Sequence, residues 1–308
     1  MSKAPFLLSM VIAFFALPAQ AKPVHEEQVD NDKIAKQRLN LAGNAEGKGF
    51  GPQSPRNINS SAGKNTRIFG TAPASTELNL CNIHFHKNAE HAGGEFTRYA
   101  GNGDGHGFQT GYGYSGKLSQ AESTPVTSEI CPSEHGGLQS GDTIEVHYVH
   151  SSAQVKPGPT LGSCLSESIK NPQLRVETLV VVLVNGSLGG SLGDNGALDF
   201  SELTKVGKVG EVGTLGEVGE VGELGGKFQA LNIPNNTGTP VVYEGSTTGP
   251  SYSEAGSPFQ VTWSVRPNIV KVDIETVGEW CKDNVFDEDH AHGVRNLVIN
   301  PSLLSPIK

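Results

Sequence analysis

The chain has 308 residues and a formal net charge of −9, from 23 basic and 32 acidic side chains. That acidic balance argues against a nucleic-acid partner, and no apolar run reaches the roughly 20 residues that a membrane-crossing helix needs. The four cysteines contain no Cys-x-x-Cys pair, which disfavours a thiolate zinc site.

Residues 1–21 read as a signal peptide: one basic residue, Lys3, a short apolar run over 6–17, and Ala19-Gln20-Ala21 as a cleavage site. Cleavage after Ala21 implies a periplasmic or secreted protein with no membrane association, and removes one positive charge. In an oxidising compartment Cys81, Cys131, Cys164 and Cys281 are expected to form two disulfides. Of the three pairings, Cys131–Cys164 with Cys81–Cys281 is expected, because the first would brace one local hairpin. Residues 22–45 are polar and are expected to be a flexible leader, and residues 46–308 to be one domain.

Residues 49–61 are rich in Gly, Pro and Ser and read as irregular. Strand-like runs follow at 77–86, 143–152, 174–186, 239–245 and 259–267, rich in β-branched and aromatic residues and bounded by turn residues. The run "TIEVHYVH" alternates and reads as half-buried, while "TLVVVLV" is continuously apolar and reads as buried on both faces. The best helical signal is "DFSELTKV" at 199–206. The expected fold is mainly β with few short helices. Two stretches look like inserts: the Gly-dense segment 93–128, and 207–226, where Gly recurs at every third position. That period matches neither helix nor strand and lacks the Pro of collagen, so an acidic surface loop is expected, with a short edge strand or solenoid turn as the alternative.

Residues two apart in a strand share a face, so Asn82, His84 and His86 point together, and His147 shares a face with Glu145. If the two strands are neighbours, three imidazoles converge. Three nitrogens with one open position is the ligand set of catalytic zinc, and ligand imidazoles want acceptors behind them. Asn82 and Glu145 can serve as those acceptors. A His-x-His on a strand also arises without a metal, and His91, His106, His135, His150, His290 and His292 each read as surface or hydrogen-bonded residues.

Four motifs in order resemble the carbonic anhydrases of the α-type fold, and most closely the δ class: "GPQSPRNI" (51–58), "NIHFH" (82–86), "SEH" (133–135) followed by "IEVHYVH" (144–150), and "YEGSTTGP" (243–250) with "VTWSV" (261–265). The resemblance implies a single domain around a large, mostly antiparallel central sheet. It implies a lyase: reversible hydration of CO2 to bicarbonate and a proton by metal-bound hydroxide, with one Zn2+ per chain. It assigns His84, His86 and His147 as zinc ligands, Glu145 as acceptor for His147, and Asn82 as support for His84. Thr248 matches the threonine that accepts a hydrogen bond from the hydroxide, with Thr247 as its off-by-one rival, and Glu134 matches the glutamate that orients it. Val149, Val261 and Trp263 match the walls of the CO2 pocket, and 180–184 supplies another.

The spacing from His86 to Glu134 is far longer than in the α pattern. The run "HKNAEH" (86–91) is δ-like; its Glu90 and His91 copy the Glu-His pair of 134–135, and both are expected to support the ligands from behind. Residues 56–81 contain no His, so the usual proton-shuttle position is empty and the role falls to His91, His106 or buffer. Two other readings remain: a cupin-type metal enzyme, since "HFHKNAE" fits its first motif, and a non-catalytic binding module on the same fold.

Overall fold

The structure, a computed structural model, describes residues 28–186, 196–209, 215–217, 226–247 and 253–307. The expected signal peptide, Thr248 and most of the glycine repeat lie outside the described residues.

The expected leader instead contains a helix, α1 (Asn31–Ala45). Ile34, Gln37, Leu41 and Ala45 recur at three- and four-residue spacing and form its buried stripe. Leu41 and Ala45 pack on Val298, Leu303 and Leu304. The stripe is narrow and its partners lie some 250 residues away, so the local pattern did not reveal it.

Strands β1 (Pro52–Ser54), β2 (Asn79–Lys87), β5 (Thr143–Ser151), β6 (Leu174–Val184), β10 (Val241–Thr247), β11 (Val261–Val265) and β12 (Val270–Asp273) build the central sheet; β3, β4 and β7–β9 belong to two small sheets described below. The order is β1-β10-β11-β6-β5-β2, with β12 also paired to β6. The sheet is mixed, not mostly antiparallel: β1 on β10, β11 on β6 and β12 on β6 are parallel pairs. Strands β11 and β12 lie end to end along one edge of β6, the first on its N-terminal half and the second on its C-terminal half. This explains the apolar sequence of β6, which has strands on both sides and packed side chains on both faces. Each fully buried Val or Leu contributes about 1.5–3 kcal/mol, and residues 179–184 are all fully buried.

One face of β2, β5 and β6 carries Ile83, Phe85, Ile144, Val146, Tyr148, Leu179, Val181 and Leu183. Two short helices, α2 (Phe200–Leu203) and α3 (Ile274–Trp280), close this face through Phe200, Leu203, Val277 and Trp280. Asp199 caps α2 and Asp273 caps α3, each accepting from a backbone N–H in the first turn. The opposite face carries His84, His86, Glu145, His147 and Val149, together with Val180 and Trp263.

The expected insert at 93–128 forms a hairpin of β3 (Arg98–Asn102) and β4 (Thr110–Gly113). The described parts of the glycine repeat fit the short-strand alternative: 207–209 in β7 (Val206–Val209) and 215–217 in β8 (Leu215–Glu217) form a small sheet with β9 (Lys227–Ala230), which follows the repeat. The disulfides are Cys81–Cys164 and Cys131–Cys281, which corrects the expected pairing. Cys164 lies in a turn (Leu161–Cys164) packed against β2, whereas Cys131 sits on the apolar face beneath the end of α3. Proximity across the fold, and not along the chain, chose the partners. Among the described residues no helix is long and apolar enough to cross a membrane.

Candidate metal centre

The antiparallel register of β2 on β5 sets His84 opposite His147 and His86 opposite Glu145. A register shift between Leu80 and Asn82 bulges β2 just before this pairing. The bulge leaves Leu80 on the apolar face while Asn82 joins the histidines on the other.

Each of the three imidazoles has one nitrogen engaged from behind. His84 Nδ1 lies 2.6 Å from Asn82 Oδ1, His86 Nδ1 lies 2.9 Å from the Gly293 carbonyl, and His147 Nε2 lies 2.6 Å from Glu145 Oε1. The partners fix the tautomers. Asn82 donates its amide nitrogen to the Gly158 carbonyl, so its oxygen faces His84 and accepts. A carbonyl and an ionised carboxylate can only accept. All three outer nitrogens are therefore donors, and the inner nitrogens, His84 Nε2, His86 Nε2 and His147 Nδ1, carry lone pairs.

One potential ligand atom from each ring lies within 4.8 Å of the others. His84 Nε2 and His147 Nδ1 face each other at 3.2 Å. Two lone pairs at that distance repel unless a cation lies between them. Tetrahedral zinc with ordinary Zn–N bonds places its nitrogens about 3.3 Å apart. The donor set therefore fits a zinc ion. Burial first, then the neighbouring histidines, lowers the pKa of His84 well below its ordinary value. Burial likewise brings His86 down to about 4, against the opposing pull of Glu90. Both rings are neutral at neutral pH, which is the ligand form.

Glu145 is fully buried and serves two imidazoles. Its Oε1 also accepts from His91 Nδ1 at 2.7 Å, and its Oε2 accepts from the His91 backbone N–H at 3.1 Å. Burial opposes its charge, but His91 and His147 outweigh that and hold its pKa well below the usual carboxylate value. His91 Nε2 lies 2.7 Å from Tyr243 Oη, which in turn lies 2.9 Å from Ser54 Oγ. A second possible ligand group, His91, Glu145 and His147, is this same hydrogen-bonded set.

Glu134 does not join the histidines. Its side chain is 88% exposed and its neighbour is His135, so the carboxylate assigned to orient a hydroxyl at the metal sits in solvent. Besides Glu145, the carboxylate beside the three histidines is Glu90, only 3% exposed, with Oε2 at 3.9 Å from His86 Nε2 and Oε1 accepting from the Arg295 backbone N–H at 2.8 Å. Thr248 lies outside the described residues; Thr247 ends β10. Val149, Val261 and Trp263 pack in one cluster, and the Trp263 ring centroid lies 5.4 Å from that of His147.

A cavity of about 290 Å³ opens onto His84 and His86 and is lined also by His106, Phe108, Leu161, Glu288 and His292. His91 is completely buried and does not reach this opening, which removes one of the two shuttle residues expected from sequence; His106 is exposed at its wall. His292, Gly293 and Arg295 were missed. The backbone at His292 bonds to Phe85 and Lys87, covering the free edge of β2 and bringing this segment to the three histidines. The only local signal was the run "DEDHAHG" (287–293), whose contact with a strand two hundred residues earlier is not encoded nearby.

Solved structures similar to the chain include an α-carbonic anhydrase of Thermovibrio ammonificans in complex with the inhibitor sulfanilamide, with 18% identity, covering 80% of this chain and 84% of that one, at a TM-score of 0.25. Others are a hyperthermostable carbonic anhydrase from an active hydrothermal vent chimney, with 14% identity, 81% and 84% coverage and a TM-score of 0.25, and the α-carbonic anhydrase of Photobacterium profundum, with 15% identity, 83% and 89% coverage and a TM-score of 0.24. Alignments this loose carry no weight of their own. Among curated proteins no sequence matches. The family model described as delta carbonic anhydrase matches residues 75–276, a span that contains β2 with His84 and His86 and β5 with His147, and the chain belongs to the delta carbonic anhydrase family.

Proposed function

We propose that this protein is a zinc-dependent carbonic anhydrase of the periplasm or the cell exterior, which reversibly hydrates CO2 to bicarbonate and a proton. The observation that carries this reading is the set of three converging imidazole lone pairs, each held from behind by an acceptor. His84, His86 and His147 would hold the ion. Bound by neutral nitrogens, Zn2+ keeps its charge and supplies the Lewis acidity that makes water acidic near neutral pH, chemistry for which carbonic anhydrase is the type case.

The rest is done by the chain's own side chains. Glu145, by accepting from His147 Nε2, keeps the Nδ1 lone pair turned inward, and Asn82 does the same for His84. Val149, Val261 and Trp263 offer an apolar shelf, which suits an uncharged substrate. Thr248 is proposed to align the attacking oxygen. Glu90, a buried carboxylate that can only accept while ionised, is the group suited to fix the direction of the Thr248 hydroxyl, in place of Glu134. Two disulfides fit an oxidising compartment.

The test is zinc content together with stopped-flow CO2 hydration, for the wild type and His147→Ala. One zinc per chain in the wild type is expected, with zinc and hydration both lost in the variant. Hydration that survives in His147→Ala would overturn the ligand assignment. Iron or manganese without hydration would instead indicate a cupin-type enzyme, and no metal with no activity a binding module.

A further inference from the structure

The metal site is supported by more than the strands that carry it. His86 is held by the carbonyl of Gly293, and Glu90 by the backbone N–H of Arg295. Both supports belong to one irregular segment that has no helix or strand of its own to hold it in shape. Its position matters, because a carbonyl that shifts away from His86 releases the ring and its tautomer.

This segment is tied to β2 at His292 and to Ser253 at Asn296, and helix α1 adds a further hold through one buried glutamine beside its apolar contact with Val298. Gln37 is 5% exposed, and its Oε1 accepts from the side-chain amide of Asn296, next to Arg295, at 2.7 Å. Its Nε2 donates to the carbonyl of Gly105 at 2.8 Å. Gly105 belongs to the loop between β3 and β4, which carries His106 and Phe108 to the cavity wall. The same loop returns to the ligand-supporting segment, where the Val294 N–H donates to the Gly107 carbonyl at 2.9 Å. One glutamine thus joins the segment behind His86 and Glu90 to the loop in front of the site. Gln37 and Asn296 both lie outside the residues matched by the family, so this link belongs to this chain's own ends.

We infer that the N-terminal helix is a brace for the metal centre and that Gln37 is its positioning residue: by holding Gly105 and Asn296 together it keeps the Gly293 carbonyl on His86 and so keeps the zinc bound. This rests on the zinc reading above. Gln37 touches neither metal nor substrate, and its effect passes through the 293–296 segment. Substitutions behind metal ligands weaken binding about 10- to 100-fold. Gln37 is one step further out, so the lower end of that range is expected.

The experiment uses the full chain loaded with zinc and follows zinc release to a chelator. Gln37→Ala is expected to release zinc about tenfold faster than the wild type. Gln37→Glu keeps an acceptor for Asn296 but cannot donate to Gly105, and is expected to release zinc faster as well; it decides the matter if Gln37→Ala does not fold. Leu203→Ala, a core truncation on the opposite face of the sheet, controls for general loss of stability: it should melt lower yet hold zinc like the wild type. Zinc release unchanged in the Gln37 variants, or accelerated equally by Leu203→Ala, overturns the inference. A wild-type chain that takes up no zinc overturns the parent reading, and is seen before any variant is made.

Discussion

At the scale of single residues, Glu145 is the hinge of the site. One buried carboxylate receives the outer N–H of His147 and both the ring and backbone N–H groups of His91. Glu145→Gln preserves the shape but turns an amide NH2 toward one of these donors. It is expected to weaken zinc binding about 10- to 100-fold, and to cost about 1–3 kcal/mol for the donor left unpaired. Chelator competition and denaturant midpoints measure the two effects separately. Asn82, His84, His86, Glu145 and His147 were all legible in the sequence, because residues two apart on a strand share a face whatever the strand's neighbours are. Glu134 was misread for a related reason. The Glu-His pair occurs twice, at 90–91 and at 134–135, and only burial separates the copy beside the ligands from the copy in solvent.

At the scale of elements, β5 teaches a further point. Its alternation predicted a half-buried strand, but all nine residues are buried. The polar positions face the candidate metal centre, where Glu145 and His147 satisfy each other, so alternation here marks a buried polar cluster and not a wet surface. The second lesson concerns links between elements. The Cys131–Cys281 bridge joins the segment before β5 to the end of α3, across 150 residues of chain. Closing so long a loop restricts the unfolded chain strongly, and removal of a native disulfide typically costs about 2–5 kcal/mol. The double variant Cys131→Ala/Cys281→Ala should therefore unfold at clearly lower denaturant, with a slope at least as steep because the unbridged unfolded chain exposes more surface, read by circular dichroism. An unchanged midpoint would show that the α3 end needs no covalent anchor.

At the scale of the whole molecule, pH should act on stability through a group remote from the His84, His86 and His147 cluster. His150 is buried on the apolar face of β5, its Nδ1 bonded to the Tyr148 carbonyl, with Glu177 and Arg175 of β6 beside it. Burial lowers its pKa from 6.5 to about 4, with Glu177 pulling the other way. The unfolded chain thus takes up the proton more readily, and stability falls as pH drops from about 6.5 toward 4 and is fully present above that window. A shift of this size is worth about 3 kcal/mol. Denaturant midpoints of the zinc-free protein between pH 7 and pH 4.5 should fall less for His150→Gln than for the wild type. Equal slopes would remove His150 as a cause.

The sequence by itself determined which residues could be ligands, which side of its strand each occupies, and that the chain is mostly β. These follow from period-two geometry and side-chain chemistry, which act over a few residues. Only the tertiary structure decided that β2 and β5 are neighbours, that Glu134 lies in solvent away from the three histidines, and which cysteines pair. It also decided that a polar leader is a docked helix and that residues 292–296 cover the edge of β2. Each of these depends on segments far apart in the chain burying one another, a choice made by the packing of the whole and not by any local pattern.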